Sequence, residues 1–327
     1  MDIYGNERPG DSGRVSAKTP LVSVVIPAHN CERFIGQTIE SVLGQSLNDL
    51  EVIVVDDGSV DGTGRLALRY GNPVRVVTQD NAGVCVARNR GIGEATGLYI
   101  ALLDQDDYWF PEKLERQVGL LEREAGFGVA CTSFMPWEVD ADGVYPAPMS
   151  MDRSRFGEGI EQAFSGWIYH QFLLDCWMLT STAVFRKEAF ERCGTFDPSL
   201  PYGEDWDLWL RLSREYRFVK LSSASTLYRQ HPGQGNRKVR DFDYRADILR
   251  RAVKKWGLCS PDGKCVGRRA FYGQLAKYHV DFAFSHARVG DKATALGALL
   301  RAGALEPWNM RTLAYIGAVL LGWRPSW

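Results

Sequence analysis

Asp104, Asp106 and Asp107 place three carboxylates within four positions, directly after the apolar run Leu98 to Leu103. Such a run reads as a buried strand, and uncompensated carboxylates at its mouth are costly. A cation answers that charge. The simplest is a hard divalent ion that bridges protein carboxylates to substrate phosphates, and a solvated acidic turn is the bland alternative. Asp56-Asp57-Gly58-Ser59 follows a second apolar run, Glu51 to Val55, and Pro27 to Asn30 follows a third, Leu21 to Ile26. Further along, Glu204, Asp205 and Asp207 crowd what reads as the first turn of a helix. Acids there also complement the helix dipole, worth under about 1 kcal/mol each.

These groups need strands and helices to hold them. Runs at 21–26, 51–55, 74–78 and 98–103 predict strands that alternate with helices, Asn30 being the expected N-cap of the first. Pro111 suits the first position of a helix carrying Leu114, Val118 and Leu121 on one face. The fold class is therefore α/β, a mixed, mostly parallel sheet flanked by helices. Ligands in such sheets bind beyond the carboxyl ends of the strands, where three of the four polar segments fall. Past residue 126 the pattern weakens. A strand is expected over 128–133, a loop over 135–165 and a strand over 178–185, then short strands at 218–221 and 226–228. Residues 241–256 predict an amphipathic helix with Phe242, Ala246, Leu249, Val253 and Trp256 inside, and more helices follow at 268–288, 291–303 and 309–321.

The chain has 327 residues, 45% of them hydrophobic, and a net charge of −1, which points to no nucleic-acid partner. Charge is unevenly spread: residues 237–327 hold 17 Lys/Arg against 7 Asp/Glu, and residues 1–236 hold 22 against 33. The basic tail either meets something anionic or is a solvated helical face. Seven scattered cysteines form no CxxC pair, so neither a zinc site nor a disulfide framework is indicated, and a reduced, cytoplasmic chain is expected. Residues 1–20 read as a disordered leader. No apolar run reaches the ~20 residues of a spanning helix, and Thr312 to Trp323 is too short.

The blocks VSVVIPAHN, EVIVVDDGSVDGT, NAGVCVARNRGI, YIALLDQDDYW and GEDWDLWLRL stand in this order over residues 21–231. Together they resemble the inverting glycosyltransferases of family 2, with the GT-A fold. The resemblance implies a GT-A domain over 21–236 (donor half to about 125, acceptor half beyond), which leaves the leader (1–20) and a basic helical C-terminal region (237–327) on either side. It implies transfer of a sugar from a nucleoside-diphosphate donor, commonly UDP-linked, to an acceptor hydroxyl in polysaccharide or glycolipid synthesis. Asp106 would ligate Mn2+ or Mg2+, with Asp104 on the ribose or a metal-bound water and His231 either a further ligand or a surface-loop histidine. Pro27, His29, Asn30, Asp56, Asp57 and Gly83 would hold the nucleotide. His29 stands where Tyr is frequent, either stacking or idle. Arg88 reaches a phosphate or pairs with a sheet-end aspartate. Asp205 would be the general base, assisted by Glu204. Trp206 and Trp209 are either a sugar-stacking surface or core. Cys85 is packing.

A nicotinamide-dependent dehydrogenase would need GxGxxG in the first βα turn, where PAHN stands. A phosphatase would carry its nucleophilic aspartate after the first strand, not the fourth. The alternative that survives is a non-catalytic nucleotide-sugar-binding module. The basic tail suggests peripheral contact with an anionic membrane bearing a lipid-linked acceptor, with domain packing or homo-oligomer formation as competing uses.

Overall fold

The apolar runs build one eight-stranded sheet in the computed structural model, which describes residues 19–235 and 238–325. Its strands are β1 (Val22–Ala28), β2 (Leu50–Asp57), β3 (Val74–Gln79), β4 (Tyr99–Leu102), β5 (Tyr108–Trp109), β6 (Phe127–Trp137), β7 (Ala183–Arg186) and β8 (Arg217–Arg229). The order across the sheet is β3-β2-β1-β4-β7-β6-β8-β5. The first four run parallel, β7 is antiparallel to both β4 and β6, and β6 and β8 are parallel. Ala28 pairs with Asp56 and Val25 with Leu102, so the polar ends of β1, β2 and β4 meet at one edge.

Strand alternation sorts the side chains into two layers. Val24, Ile26, Val52 and Val54 face α1 (Ile35–Leu43), α2 (Thr63–Leu68) and, through Leu114 and Leu121, a helix further along. Val25, Ile53, Val55 and Leu102 face α3 (Val84–Glu94) and the later helices. The remaining helices are α4 (Lys113–Arg123), α5 (Tyr169–Phe172), α6 (Lys187–Cys193), α7 (Glu204–Glu215), α8 (Tyr244–Trp256), α9 (Arg268–Val289), α10 (Lys292–Leu305) and α11 (Met310–Leu320). Ile248 and Leu249 of α8 and Phe271 and Leu275 of α9 join the same core as α7. The second half of α9 packs on α10 and α11 around Ala283, Ala298 and Leu299, a smaller satellite core. The boundary expected between 236 and 237 lies outside the described residues, as does the leader over 1–18.

Several expectations are corrected. Asn30 is no N-cap: it takes a left-handed φ of 48°, and α1 begins only at Ile35. The expected strand at 178–185 opens instead as a 3-10 turn, Thr180–Thr182. Ser181 explains this, because its hydroxyl accepts from the Asp104 amide (3.0 Å) and donates to Asp107 (2.5 Å), while its carbonyl accepts from the Trp109 indole (2.6 Å). The two short strands at 218–221 and 226–228 are one, β8. Ser223 and Ser225 interrupt the apolar pattern, yet both are buried and hydrogen-bond each other at 3.3 Å. β6 reaches Trp137 and so claims the start of the expected 135–165 loop. Phe242 lies before α8 and is exposed; Ala246, Ile248, Leu249 and Ala252 form the buried face. Cys259 and Cys265 form a disulfide, which corrects the expectation of a reduced chain without one. No described helix is long and apolar enough to cross a membrane.

Candidate active site

A cleft of about 620 Å³ opens where the carboxyl ends of β1, β2 and β4 meet the first turn of α7. Pro27, His29, Asp57, Arg88, Asp104, Asp106, Glu204 and Asp205 all line it. Asn30, Asp56, Gly83 and His231 are not among its lining residues.

On the β1–β2 side the chain holds itself rigid through side-chain bonds. His29 Nδ1 donates to the Asp57 carbonyl oxygen at 2.8 Å, which leaves Nε2 to accept from the Asn81 amide at 3.1 Å. Asn30 Oδ1 accepts from the Val60 amide at 2.9 Å, tying the β1 turn to the β2 turn. The buried Asp57 carboxylate accepts from Gln79 Nε2 (2.8 Å) and from the amides of Ala82 (2.8 Å) and Gly83 (2.9 Å). Gly83 sits at φ 90° at the head of α3, a conformation that favours glycine. Asp56 instead accepts from the Ser59 amide at 3.1 Å beneath the turn. A Cβ on Gly64 would come within 2.2 Å of its other oxygen.

The β4 end separates its three carboxylates into three tasks. Asp106 Oδ2 meets His231 Nε2 at 2.7 Å, 125 residues away in sequence. Asp107 is buried rather than solvated. It accepts from Ser181 and from the Arg229 amide (3.1 Å), and burial followed by the charges of Asp106 and Asp104 pushes its carboxyl up. Arg229 donates from Nε to the Asp106 carbonyl at 2.6 Å, its guanidinium 3.9 Å from the Trp137 ring centre. Asp104 Oδ1 accepts from Arg88 Nη2 at 2.7 Å.

Arg88 is the hub. It projects from α3, is buried, and its Nη1 donates to Glu204 Oε1 at 2.8 Å. Both sheet-end and helix-end carboxylates are thus held by one guanidinium, the geometry for which Arg rather than Lys is suited. Gly203, the residue before α7, has φ 77°, and a Cβ there would come within 2.7 Å of Ile248. That turn aims Glu204 and Asp205 into the cleft. Burial, followed by the charge of Glu204, raises the Asp205 carboxyl from its ordinary 3.8 to about 7, against the downward pull of Arg88.

The model of the family described as "Glycosyl transferase family 2" matches residues 23–191, which is more than half of the chain. The chain belongs to glycosyl transferase family 2. Among its curated relatives, an uncharacterized glycosyltransferase of Bacillus subtilis, EpsJ, is 31% identical over 227 residues, covering 65% of this chain and 62% of that one. The Escherichia coli UDP-Glc:alpha-D-GlcNAc-diphosphoundecaprenol beta-1,3-glucosyltransferase WfaP is 29% identical over 236 residues, 70% of this chain and 86% of that protein. The chain spans 60–62% of the length of three other curated relatives, EpsJ among them. In fold it is similar to Staphylococcus aureus TarS, solved with UDP-GlcNAc, at TM-score 0.62 and 19% identity over 92% of this chain and 87% of that one. The mannosyltransferase PcManGT of Pyrobaculum calidifontis, solved with GDP-Man and Mn2+, gives 0.57 at 20% identity over 98% and 85%. The architecture is that of the GT-A glycosyltransferases.

In this family 2 chain Trp206 and Trp209 are both core: their indoles donate to the carbonyls of Phe172 (2.7 Å) and Met178 (3.2 Å). Of the two alternatives open for them, core is the one observed, and Trp206 also borders the cleft. Cys85 is buried against the Leu200 carbonyl, as packing. Among the described residues no three His, Cys, Asp or Glu side chains converge as a metal cage. A set of two touching donors, Asp106 and His231, still fits a cation that takes its other ligands from substrate phosphates. Sequence reasoning missed Tyr202, Tyr228, Arg240, Arg245 and Tyr278 on the cleft wall. The basic count of the tail was the only signal for the two arginines, and it carried no position; nothing in the sequence pointed to the tyrosines.

Proposed function

We propose that this enzyme transfers a sugar from a nucleoside-diphosphate donor, UDP-linked, to an acceptor hydroxyl, with inversion at the anomeric carbon. The product would be a cell-surface polysaccharide or glycolipid. One observation carries the reading: Asp205, its carboxyl raised to about 7, shares a cleft with Asp104 and Asp106. A carboxyl near neutrality is matched to general-base work.

In this reading Pro27, His29 and the nucleotide loop held by Asp57 receive the base, with Asp56 and Asn30 fixing the turns beneath it. Arg88 holds Asp104 toward the ribose. Asp106 and His231 would hold Mn2+ or Mg2+, which when bound neutralises charge on the leaving diphosphate. Asp205 accepts the acceptor's hydroxyl proton as that oxygen bonds to the anomeric carbon and the bond to the diphosphate breaks. One displacement, with no protein nucleophile, inverts the centre. Glu204 anchors Arg88 and so orients its neighbour. Residues up to about 125 serve the donor, 126–236 the acceptor, and the C-terminal helices complete the acceptor side.

The same proposal places the enzyme in the cytoplasm, in peripheral contact with an anionic membrane. What supports it is the exposed apolar edge of α11, and the naming of WfaP for a lipid-linked acceptor. Nucleoside diphosphate release should be measured across UDP-, GDP- and dTDP-sugars, with Mn2+ and with chelator. Release from a UDP-sugar with Mn2+ alone is the expected result. Asp205→Asn should bind UDP and fail to transfer; loss of UDP binding in that variant would contradict its assignment as base.

A further inference from the structure

The cleft contains two cations that neither catalysis nor donor binding, as described above, uses. Arg240 precedes α8 and Arg245 lies on its first turn, and both line the same wall as Asp205. Arg240 has no carboxylate partner among the described residues. One Nη donates to the Gly235 carbonyl at 2.6 Å, Nε is buried without a partner, and the guanidinium lies 5.0 Å from the Tyr202 ring centre. Arg245 is 3.7 Å from Asp281 and 4.6 Å from the Tyr278 ring centre, a loose ion pair backed by an aromatic face. Tyr202 and Tyr278 line the cleft as well.

This differs from the other arginine of the site. Arg88 is neutralised by two carboxylates, Asp104 and Glu204, at 2.7 and 2.8 Å, although its buried Nε also lacks a partner, whereas Arg240 has no carboxylate among the described residues and Arg245 only Asp281 at 3.7 Å. A neutral sugar needs no guanidinium, and holding two together costs repulsion. Forked donors over aromatic rings match phosphate oxygens.

We propose that Arg240, Arg245, Tyr202 and Tyr278 form an acceptor subsite for a phosphate or diphosphate group, next to the base Asp205. This rests on the glycosyltransferase reading above. The acceptor would then be an anionic molecule, its phosphate gripped here while its hydroxyl meets Asp205. The basic tail acquires a specific use: two of its arginines are aimed inward, while the apolar face of α8 is in the core.

The test is a calorimetric titration of the full chain, first with UDP and then, at saturating UDP, with three probes. Inorganic phosphate represents a free anion, farnesyl diphosphate below its micellar concentration a lipid-linked one, and methyl glucoside the neutral control. One anion site beside UDP is expected, with methyl glucoside at least tenfold weaker. Tighter binding of farnesyl diphosphate than of phosphate assigns the group to a lipid carrier, and equal binding assigns it to a soluble phosphorylated acceptor. Arg240→Gln and Arg245→Gln should each weaken the anion at least tenfold, and the Lys variants should recover part of it. Unchanged anion binding in both Gln variants overturns the proposal. So does displacement of UDP by the anion, which would give the arginines to the donor diphosphate. Failure of UDP itself to bind is read in the first titration and counts against the donor reading, while the arginine variants still report on the anion.

Discussion

Arg88 donates to Glu204 across 116 residues of sequence, joining α3 to the first turn of α7 at 2.8 Å. The same guanidinium holds Asp104, so the carboxylates at the end of β4 and at the start of α7 share one counter-charge. Removing it in Arg88→Ala leaves two carboxylates unpaired, and breaking a buried pair of this kind costs about 3–5 kcal/mol. Asp104 is partly open to water, which screens it and favours the low end. Urea denaturation should show the loss, and Arg88→Lys should recover only part, because an ammonium cannot fork between both partners.

The pH profile follows from Asp205. Its carboxyl must be ionised to accept a proton, so kcat/KM should rise with pH along an acid limb near 7. Arg88 pulls that carboxyl down, so the limb should move upward in Arg88→Gln. Stability runs the opposite way. Between 3.8 and about 7 the native carboxyl keeps a proton that the unfolded chain has lost; its contribution is present below that window and gone above it. Asp205→Asn should therefore raise Tm at pH 8 and leave it nearly unchanged at pH 3.

The Asp106–His231 contact makes a divalent-ion prediction. Chelation should stop transfer, and Asp106→Ala should lower kcat by about 10²–10³, the scale of losing a main source of charge stabilisation. His231→Ala should raise the half-saturating Mn2+ concentration about 10-fold or more. Titration of both variants with Mn2+ separates the two effects. Equal Mn2+ dependence in wild type and His231→Ala would return that histidine to an ordinary loop role.

Much of the donor half was legible because local signals agree there. β1 and β2 are β-branched runs and β4 an apolar one, all followed by polar residues, and parallel pairing necessarily brings those ends to one edge. Asp106 and His231 were connected only by the family resemblance, since nothing local relates residues 125 apart. The burial of Asp107 could not be read from the sequence, because its partners, Ser181 and the Arg229 amide, come from distant segments. The same applies to the 3-10 turn at Thr180–Thr182, whose Thr and Ser content suggests a strand until Asp104, Asp107 and Trp109 make use of Ser181. The far wall of the cleft was illegible for another reason. Arg240 and Arg245 look like any solvated basic residues until α8 buries its apolar side and turns them inward.

The last prediction concerns the opposite end of the chain. Met310, Leu313, Leu320 and Leu321 recur at helical spacing along α11 and all are exposed, Leu321 at 91%; Trp308, just before it, is 89% exposed. Large apolar side chains gathered on one edge mark an interaction surface. Arg301, Arg311 and Arg324 are exposed nearby in the sequence, and each basic residue near an anionic surface adds about 1 kcal/mol. The full chain should co-sediment with vesicles containing anionic lipid at low salt and bind zwitterionic vesicles less. Leu321→Glu removes an apolar contact of roughly 1.5–3 kcal/mol and adds a repelled charge, so partitioning should fall at least about tenfold. Lys254→Glu on α8, whose apolar face is committed to the core, should change it far less. Equal partitioning of Leu321→Glu and wild type would show that α11 is not the contact, and no sedimentation at all would reject the membrane reading.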